Sequence, residues 1–267
     1  MIGWITREAL ATDFAGLGVR RGSIVMIHAA CSRVGPVMGG PDAILGGLRD
    51  AVGPEGTVMA YLDWDAPWED LADDDGRVPE EWRRHVAPFD PAATRAARGN
   101  GVMAETVRTT PGALRSGNPG ASVAAIGARA GWLTADHPLD YGYGPGSPLA
   151  RLVEAGGQVL MLGAPFDTMT VLHLAEHLAD LPGKRVNRAE VPFATAAGTE
   201  WRWAEEFDTG DPVIDAFPEN VFERIVTDYL AAGCGTQGRV GEAPSVLVDA
   251  ADVVPFAVEW MEHFVRE

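Results

Sequence analysis

The chain has 267 residues, 46% of them apolar, which is enough to bury a core, so we expect residues 1–267 to form a single domain. Its 21 Lys and Arg residues face 38 Asp and Glu residues, and the formal net charge of −17 argues against nucleic acid or an anionic membrane as a partner. The two cysteines, Cys31 and Cys234, are too few for a disulfide framework. Because no segment has the pattern of a signal peptide or a membrane span, we expect a cytoplasmic protein.

Apolar periodicity predicts alternating helices and strands along the chain. The first half should contain a helix at 6–17, a strand at 24–28, a helix at 41–52, a strand at 57–62, a helix at 101–109 and a strand at 121–126. After a long ordered loop at 131–148, we expect helices at 150–155, 170–180, 219–232 and 251–265, and strands at 158–162, 190–195, 200–204 and 245–248. This order predicts an α/β fold with a largely parallel central sheet flanked by helices and an additional antiparallel section near 190–204.

The helix predicted at 170–180 carries a polar stripe, because residues three and four apart share one helix face. The stripe consists of His173, Glu176, His177 and Asp180. His173 to His177 matches H-x-x-E-H, in which two histidines bind zinc and the glutamate activates water. The same residues also suit a histidine general base with a neighbouring carboxylate and no metal, or an ordinary solvated helix face.

An acidic and aromatic segment follows the strand predicted at 57–62. Residues 61–75 hold seven carboxylates and three aromatic side chains without a basic residue. Carboxylates bind ammonium groups, and aromatic faces suit sugar rings and cations. The segment therefore indicates a cationic partner, unless it serves only solubility.

Three segments with reactive side chains come directly after predicted strands: 28–32, the loop from residue 63, and 163–173. If these strands are parallel, their carboxyl ends meet at one edge of the sheet. Such convergence would serve a reaction with two substrates.

Several strings, in this order and spacing, carry a family resemblance over about residues 5 to 265: MIHAACSRVGPVMGGPDAILGGLRDAVGPEGTV, LRSGNPGASVAAIG, GSPLARLV, GQVLMLGAP and TVLHLAEHLAD. Together they resemble the aminoglycoside 3-N-acetyltransferase family, which has its own antibiotic N-acetyltransferase fold, distinct from the GNAT superfamily. The resemblance implies an enzyme that moves acetyl from acetyl-CoA to the 3-amino group of a 2-deoxystreptamine ring, by direct attack, and so confers antibiotic resistance.

The family pattern T-x-x-H-x-x-E is matched by Thr170, His173 and Glu176. The resemblance therefore favours His173 as the general base and no metal, with a carboxylate beside it as catalytic partner: Glu176, or one from the acidic segment at 61–75. It requires no histidine at position 177, which leaves His177 without a role. A zinc-dependent hydrolase or peptidase, and a non-catalytic polycation-binding protein, remain the alternatives.

The resemblance also implies residues that bind acetyl-CoA: His28, Ala29, Ala30, Cys31, Ser32, Arg33, Arg115, Ser116, Ser147, Pro148 and Leu149. A polycationic aminoglycoside carries several ammonium groups, so its site should be acidic. The candidates for that site are Trp64, Asp65, Glu69, Asp70, Glu105, Asp167, Glu206 and Asp208. The chain departs from the family pattern at two places, and both affect cofactor contacts. Ala29 and Ala30 lie where a serine usually follows the first histidine, and Asn118 replaces the histidine of R-S-x-H-P. We expect a monomer or homodimer.

Overall fold

The computed structural model describes residues 3–66, 71–208 and 212–266. Its helices are α1 (Arg7–Leu17), α2 (Gly40–Val52), α3 (Glu80–Arg83), α4 (Gly101–Thr109), α5 (Ala130–Thr134), α6 (Pro148–Glu154), α7 (Leu172–Leu178), α8 (Val221–Ala231) and α9 (Ala250–Phe264). Its strands are β1 (Ile24–Ala29), β2 (Thr57–Tyr61), β3 (Leu114–Arg115), β4 (Val123–Gly127), β5 (Gln158–Leu162), β6 (Val186–Thr195), β7 (Gly198–Phe207), β8 (Thr236–Val240) and β9 (Ala243–Asp249).

Within the described residues, seven strands form a sheet in the order β3-β4-β2-β1-β5-β9-β8. The centre is parallel, since β1 pairs in parallel with β2 on one side and with β5 on the other. The outer strands pair antiparallel with their neighbours. Strands β6 and β7 form a separate antiparallel hairpin. The predicted fold class is therefore confirmed, with more antiparallel pairing at the sheet edges than the sequence indicated.

Helices cover both faces of this sheet, as the burial of its central strands requires. Along β1, Ile24 and Met26 pack into the apolar cluster that includes α6, α7, α8 and α9. Val25 and Ile27 point to the other face, into the cluster with α1, α2 and α4. This alternation is the period of two that a strand imposes on its side chains. Helix α7 is thereby anchored on one face of the central strands.

Three short elements differ from the sequence-based prediction. Strand β8 is mostly exposed and polar, so it lacks the apolar run that identifies a buried strand. Strand β3 has only two residues, and α5 lies inside the Gly- and Pro-rich stretch that we expected to be loop throughout. Each of these elements depends on neighbouring structure more than on its own sequence.

The parallel centre places the carboxyl ends of β1, β2 and β5 at one edge of the sheet. His28 at the end of β1 is in register with Met161 of β5, and Met26 is in register with Met59 of β2. The segments that follow these strands therefore converge, as predicted. Within the described residues, no helix is both long and apolar enough to cross a membrane.

A close contact between α1 and α2 supplies a test of the packing. A Cβ added at Gly47 would lie 2.9 Å from Leu10 Cβ and 3.0 Å from the Arg7 carbonyl oxygen, whereas a Cβ at Gly16 would meet nothing within 4 Å. We expect Gly47→Ala to destabilise the protein by about 1–3 kcal/mol through overpacking. Gly16→Ala should stabilise α1 by roughly 0.5–1 kcal/mol, because alanine favours the helix. Urea unfolding of both variants measures this; equal effects would show that α1 and α2 do not approach so closely.

Candidate active site

The centre of the site is a hydrogen-bonded pair on α7. His173 Nδ1 lies 2.7 Å from Glu176 Oε2, and the two side chains are 20% and 4% exposed. The spacing of three residues places both on one face of the helix. A carboxylate at Nδ1 favours the tautomer with its proton on that nitrogen, which leaves Nε2 free to accept a proton. The arrangement is that of a general base with an orienting carboxylate.

The position of this pair follows from the segment before it. Strand β5 is buried along its whole length, and Gly163 then adopts a left-handed conformation with φ of +64°. A 3₁₀ turn at Phe166–Thr168 leads into α7, whose Leu172, Leu174 and Ala175 are buried in the core. The chain is thus turned at the carboxyl end of β5, so that His173 faces the sheet edge where the strands end.

Aromatic rings hold the His173 imidazole on two sides. The Tyr143 ring centroid lies 4.8 Å from that of His173, and the Phe222 centroid lies 4.9 Å away with the two ring planes inclined at 63°. The Tyr143 hydroxyl is 2.6 Å from the Tyr61 hydroxyl, and both approach the Gly120 carbonyl oxygen. Packing and hydrogen bonding together restrict the imidazole, which favours a defined geometry for proton transfer.

His173 lines two cavities. The first, here called the acidic cavity, has a volume of about 500 Å³ and is lined by Asp63, Trp64, Tyr143, His173, Glu206 and Asp208, among others. The second, here called the small-residue cavity, has a volume of about 420 Å³ and is lined by His28, Ala29, Ala30, Gly101, Ala104 and His173, among others. Tyr61 also belongs to both walls. One imidazole therefore reaches two binding spaces of different chemistry.

The acidic cavity concentrates negative charge next to an aromatic wall. Asp63 has a left-handed backbone with φ of +51°, and its carbonyl oxygen accepts a hydrogen bond from Arg115 Nη2 at 2.6 Å. Burial raises the pKa of the Asp63 carboxyl to about 6. Trp64 packs against Phe89 with centroids 5.6 Å apart. Carboxylates beside a flat ring form a suitable site for an amino sugar.

The small-residue cavity is lined mainly by small and apolar residues, with Asp167 as the carboxylate of its wall. The pKa of His28 is lowered to about 4, mainly by burial and secondly by the nearby His173. Its imidazole therefore stays uncharged at neutral pH. The first turn of α4 also lines the cavity, with Asn100 and Gly101 at its start. The free backbone N–H groups of a helix N-terminus favour oxygen acceptors and negative charge. The cavity suits an unbranched chain carrying carbonyl groups.

The structure divides the residues predicted for acetyl-CoA into two groups. His28, Ala29 and Ala30 line the small-residue cavity, and Cys31, Ser32 and Arg33 follow directly in a 3₁₀ turn. Burial raises the pKa of the Cys31 thiol, and Arg33 Nη1 donates to the Gly163 carbonyl oxygen at 2.9 Å. The first group therefore lies at or next to the cavity.

The second group supports the surrounding loops. Arg115 donates to the carbonyl oxygens of Thr94 and Asp63, Ser116 contacts His137 Nδ1 at 2.9 Å, and Ser147 accepts from the Ala150 N–H as the N-cap of α6. Pro148 and Leu149 are buried in the first turn of that helix. None of these five residues lines either cavity. Their roles in binding stay predictions.

The residues predicted for the aminoglycoside are also divided. Trp64, Glu206 and Asp208 line the acidic cavity, whereas Asp167 lines the small-residue cavity. Asp65 accepts from the Arg98 N–H at 3.2 Å. Glu105 receives two hydrogen bonds of 2.7 Å from Arg108, which is the first cause of its lowered pKa, and it lines a different hollow. Glu69 and Asp70 lie outside the described residues.

Sequence reasoning missed three residues that shape the site: Tyr61, Asp63 and Tyr143. Tyr61 and Asp63 flank the end of β2, and Tyr143 belongs to the stretch that was expected to be loop. Asp63 follows directly after a predicted strand, which indicates a place at the sheet edge. Nothing in the sequence, however, distinguishes this carboxylate from its acidic neighbours. Its burial and its left-handed backbone, a feature that concentrates at functional sites, make the distinction.

Comparison with known proteins assigns this arrangement to a family. The family model described as aminoglycoside 3-N-acetyltransferase matches residues 26–262, from within β1 to within α9. The chain belongs to the aminoglycoside 3-N-acetyltransferase family. The resemblance noted in the sequence is thereby confirmed, and the chain is an aminoglycoside acetyltransferase by family.

Individual relatives agree along nearly the whole chain. Aminoglycoside N(3)-acetyltransferase III of Pseudomonas aeruginosa is 47% identical over 261 residues, covering 96% of this acetyltransferase and 93% of the relative. The solved structure of AAC-IIIb in binary complex with CoASH is 64% identical, with a TM-score of 0.97 and coverage of 98% and 97%. AAC-VIa bound to sisomicin is 38% identical, with a TM-score of 0.92 and coverage of 98% of both chains.

The buried carboxyl of Asp63 gives this acetyltransferase a measurable pH dependence. Its pKa of about 6 exceeds the ordinary value of about 3.9 in an unfolded chain, so the folded state binds its proton more tightly. The contribution of this carboxyl to the free energy of unfolding is therefore lost as the pH rises through 6. We expect Asp63→Asn to be more stable than the parent by about 2–3 kcal/mol at pH 8, with roughly 1 kcal/mol less advantage at pH 5.

Urea unfolding at the two pH values measures this difference. Asp74, which is exposed, supplies the control Asp74→Asn, which should change little at either pH. An advantage for Asp63→Asn that is equal at pH 5 and pH 8 would contradict the raised pKa.

Proposed function

We propose that this chain, as one 267-residue domain, transfers acetyl from acetyl-CoA to the 3-amino group of the 2-deoxystreptamine ring in an aminoglycoside. The observation that carries the proposal is the position of His173, paired with Glu176, in the common wall of the acidic cavity and the small-residue cavity. Acetylation removes a positive charge from the antibiotic, and resistance is the consequence that we infer.

His173 acts as the general base in this proposal. An amine is mostly protonated at neutral pH, and only its neutral form attacks a thioester. The ammonium group first loses one proton to solvent and becomes the neutral amine. As the C–N bond forms and the C–S bond breaks, His173 Nε2 takes a second proton from the nitrogen and passes it to the CoA thiolate, which leaves as the thiol. Glu176 stabilises the imidazolium and holds its tautomer, and such assistance is typically worth about 10²- to 10⁴-fold in rate.

The acidic cavity is our proposed aminoglycoside site. Asp63, Glu206 and Asp208 supply carboxylates for ammonium groups, and Trp64 supplies a ring face. An ammonium group bound beside Asp63 would favour the ionised carboxylate and lower its pKa from about 6. The sisomicin complex of the related AAC-VIa supports an aminoglycoside as acceptor.

The small-residue cavity is our proposed site for the acetyl end and the pantetheine arm of acetyl-CoA. Alanine and glycine side chains leave room for a narrow chain, and the first-turn N–H groups of α4 are donors for its carbonyl oxygens. The exposed side chains of Ser32 and Arg33, at the end of β1, lie on the surface where the nucleotide end would emerge. The CoASH complex of the related AAC-IIIb supports this choice of donor.

Transfer is direct, without an acyl-enzyme. Cys31 is the thiol next to the cavity, but burial raises its pKa and so disfavours the thiolate that a nucleophile needs. Both substrates instead approach one imidazole from two sides. Holding two reactants in this way lowers the entropic part of the barrier.

A thiol-release assay tests the proposal. The protein is mixed with acetyl-CoA and sisomicin, and free CoA thiol is followed with a thiol-reactive chromophore. We expect His173→Ala to lower kcat by about 10²- to 10⁴-fold and Glu176→Gln by roughly 10- to 10³-fold, since the amide cannot balance the imidazolium charge. The KM for both substrates should change only a few-fold.

The exposed His85 supplies the control His85→Ala, which should behave like the parent protein. Parent protein that releases no thiol with any aminoglycoside would refute the proposed reaction. Full activity in His173→Ala would refute only the assignment of the base.

A further inference from the structure

The second histidine of α7 has a carboxylate of its own. His177 Nε2 lies 2.9 Å from Oε1 of Glu206, and the His177 side chain is only 3% exposed. Glu206 belongs to β7, which reaches α7 from the separate hairpin. The two histidines of HLAEH therefore contact different carboxylates, one on the same helix and one from the hairpin.

The surroundings of His177 hold its ring in place. Its centroid lies 4.6 Å from that of Phe207 and 6.0 Å from that of Tyr141, whose ring plane is nearly perpendicular to the imidazole. A Cβ at Gly144 would lie 2.7 Å from His177 Nδ1, so the ring occupies space that only glycine leaves open. Lys184 donates to the His177 carbonyl oxygen at 3.3 Å. This degree of enclosure goes beyond that of a solvated helix face.

Glu206 is held from its other sides by the backbone. Its Oε1 accepts from the Phe207 N–H at 2.7 Å, and its Oε2 accepts from the Tyr143 N–H at 3.3 Å. The side chain is 25% exposed and lines the acidic cavity. Its orientation therefore decides where this negative charge meets a cationic ligand.

His177 Nε2 is buried and close to Glu206, yet it has no aligned hydrogen-bond partner among the described residues. A buried donor without a partner is costly, so a small rotation of the carboxylate that completes this bond would be favourable. An ammonium group on the cavity side of Glu206 would favour such a rotation, because it binds the carboxylate from the opposite direction.

We infer that His177 is a positioning residue of the acceptor site, which acts through Glu206 to set the affinity for the aminoglycoside. The inference rests on the proposed function, since it assigns the acidic cavity to that substrate. His177 takes no part in the proton transfer at His173. It therefore affects acceptor binding, while the chemical step and the binding of CoA stay as they are.

Calorimetric titration with sisomicin, in the absence of acetyl-CoA, tests the inference. His177→Phe keeps a ring of similar size without the donor, and we expect it to weaken sisomicin binding about tenfold, as loss of a charge-assisted hydrogen bond does. His177→Gln places an amide N–H near the position of Nε2 and should stay within about threefold of the parent. Binding of CoASH should be the same in all three proteins.

The double variant separates positioning from a general packing effect. If His177 acts through Glu206, His177→Phe combined with Glu206→Gln should bind sisomicin no more weakly than Glu206→Gln alone. The inference is overturned if the two substitutions weaken sisomicin binding by factors that multiply in the double variant. It is also overturned if His177→Phe binds sisomicin as tightly as the parent. If His177→Phe does not fold, sisomicin binding by His177→Gln is compared with that of the shorter His177→Asn. Equal affinity of these two variants for sisomicin overturns the inference.

Steady-state kinetics distinguish this inference from the proposed function. In His177→Phe the KM for sisomicin should rise, while kcat and the KM for acetyl-CoA stay within about twofold. A kcat that falls with an unchanged KM would overturn the inference but leave the reaction intact. Parent protein that neither binds sisomicin nor releases thiol would overturn both.

Discussion

A hydrogen bond of 2.7 Å between His173 and Glu176 is the contact on which the proposed chemistry depends. The glutamate is almost fully buried, and in the described residues its side chain contacts the imidazole. A buried carboxylate needs a partner that can balance its charge, and an imidazole that accepts a proton is such a partner. In the proposed mechanism, proton transfer to His173 completes an ion pair with Glu176.

The location of this pair is a property of the sheet. Parallel pairing of β1 with β2 and β5 brings three strand ends to one edge, and α7 starts from the loop after β5. The antiparallel outer strands and the helices on both faces hold this centre in place. The hairpin of β6 and β7 then closes the acidic cavity from outside the sheet.

Charge separates the two proposed substrates. An acidic protein attracts a polycation over a long range, yet it has to bind a polyanionic donor as well. The structure places Asp63, Glu206 and Asp208 in one cavity, whereas alanines, glycines, a neutral His28 and the carboxylate of Asp167 are in the wall of the other. His173 lies where these two environments meet.

The sequence predicts the parts of this site that depend on local pattern. The alternation of helices and strands, the i, i+3 pair of His173 and Glu176, and the strand ends near His28 and Asp63 all follow from periodicity. The contact between His177 and Glu206 joins residues far apart in the chain, so no local pattern indicates it. Ser147 was predicted to bind acetyl-CoA, whereas the structure gives its side chain a local role as the N-cap of α6, which begins two residues before the predicted start.

A crystal structure of the protein with both CoASH and sisomicin bound would show whether one imidazole serves both substrates. We expect the thiol sulfur in the small-residue cavity and the 3-amino nitrogen in the acidic cavity, with the amine within about 3.5 Å of His173 Nε2 and the two reacting atoms about 3–4 Å apart. An amine bound away from His173, or a thiol that approaches Cys31 instead of the amine, would contradict the proposed mechanism.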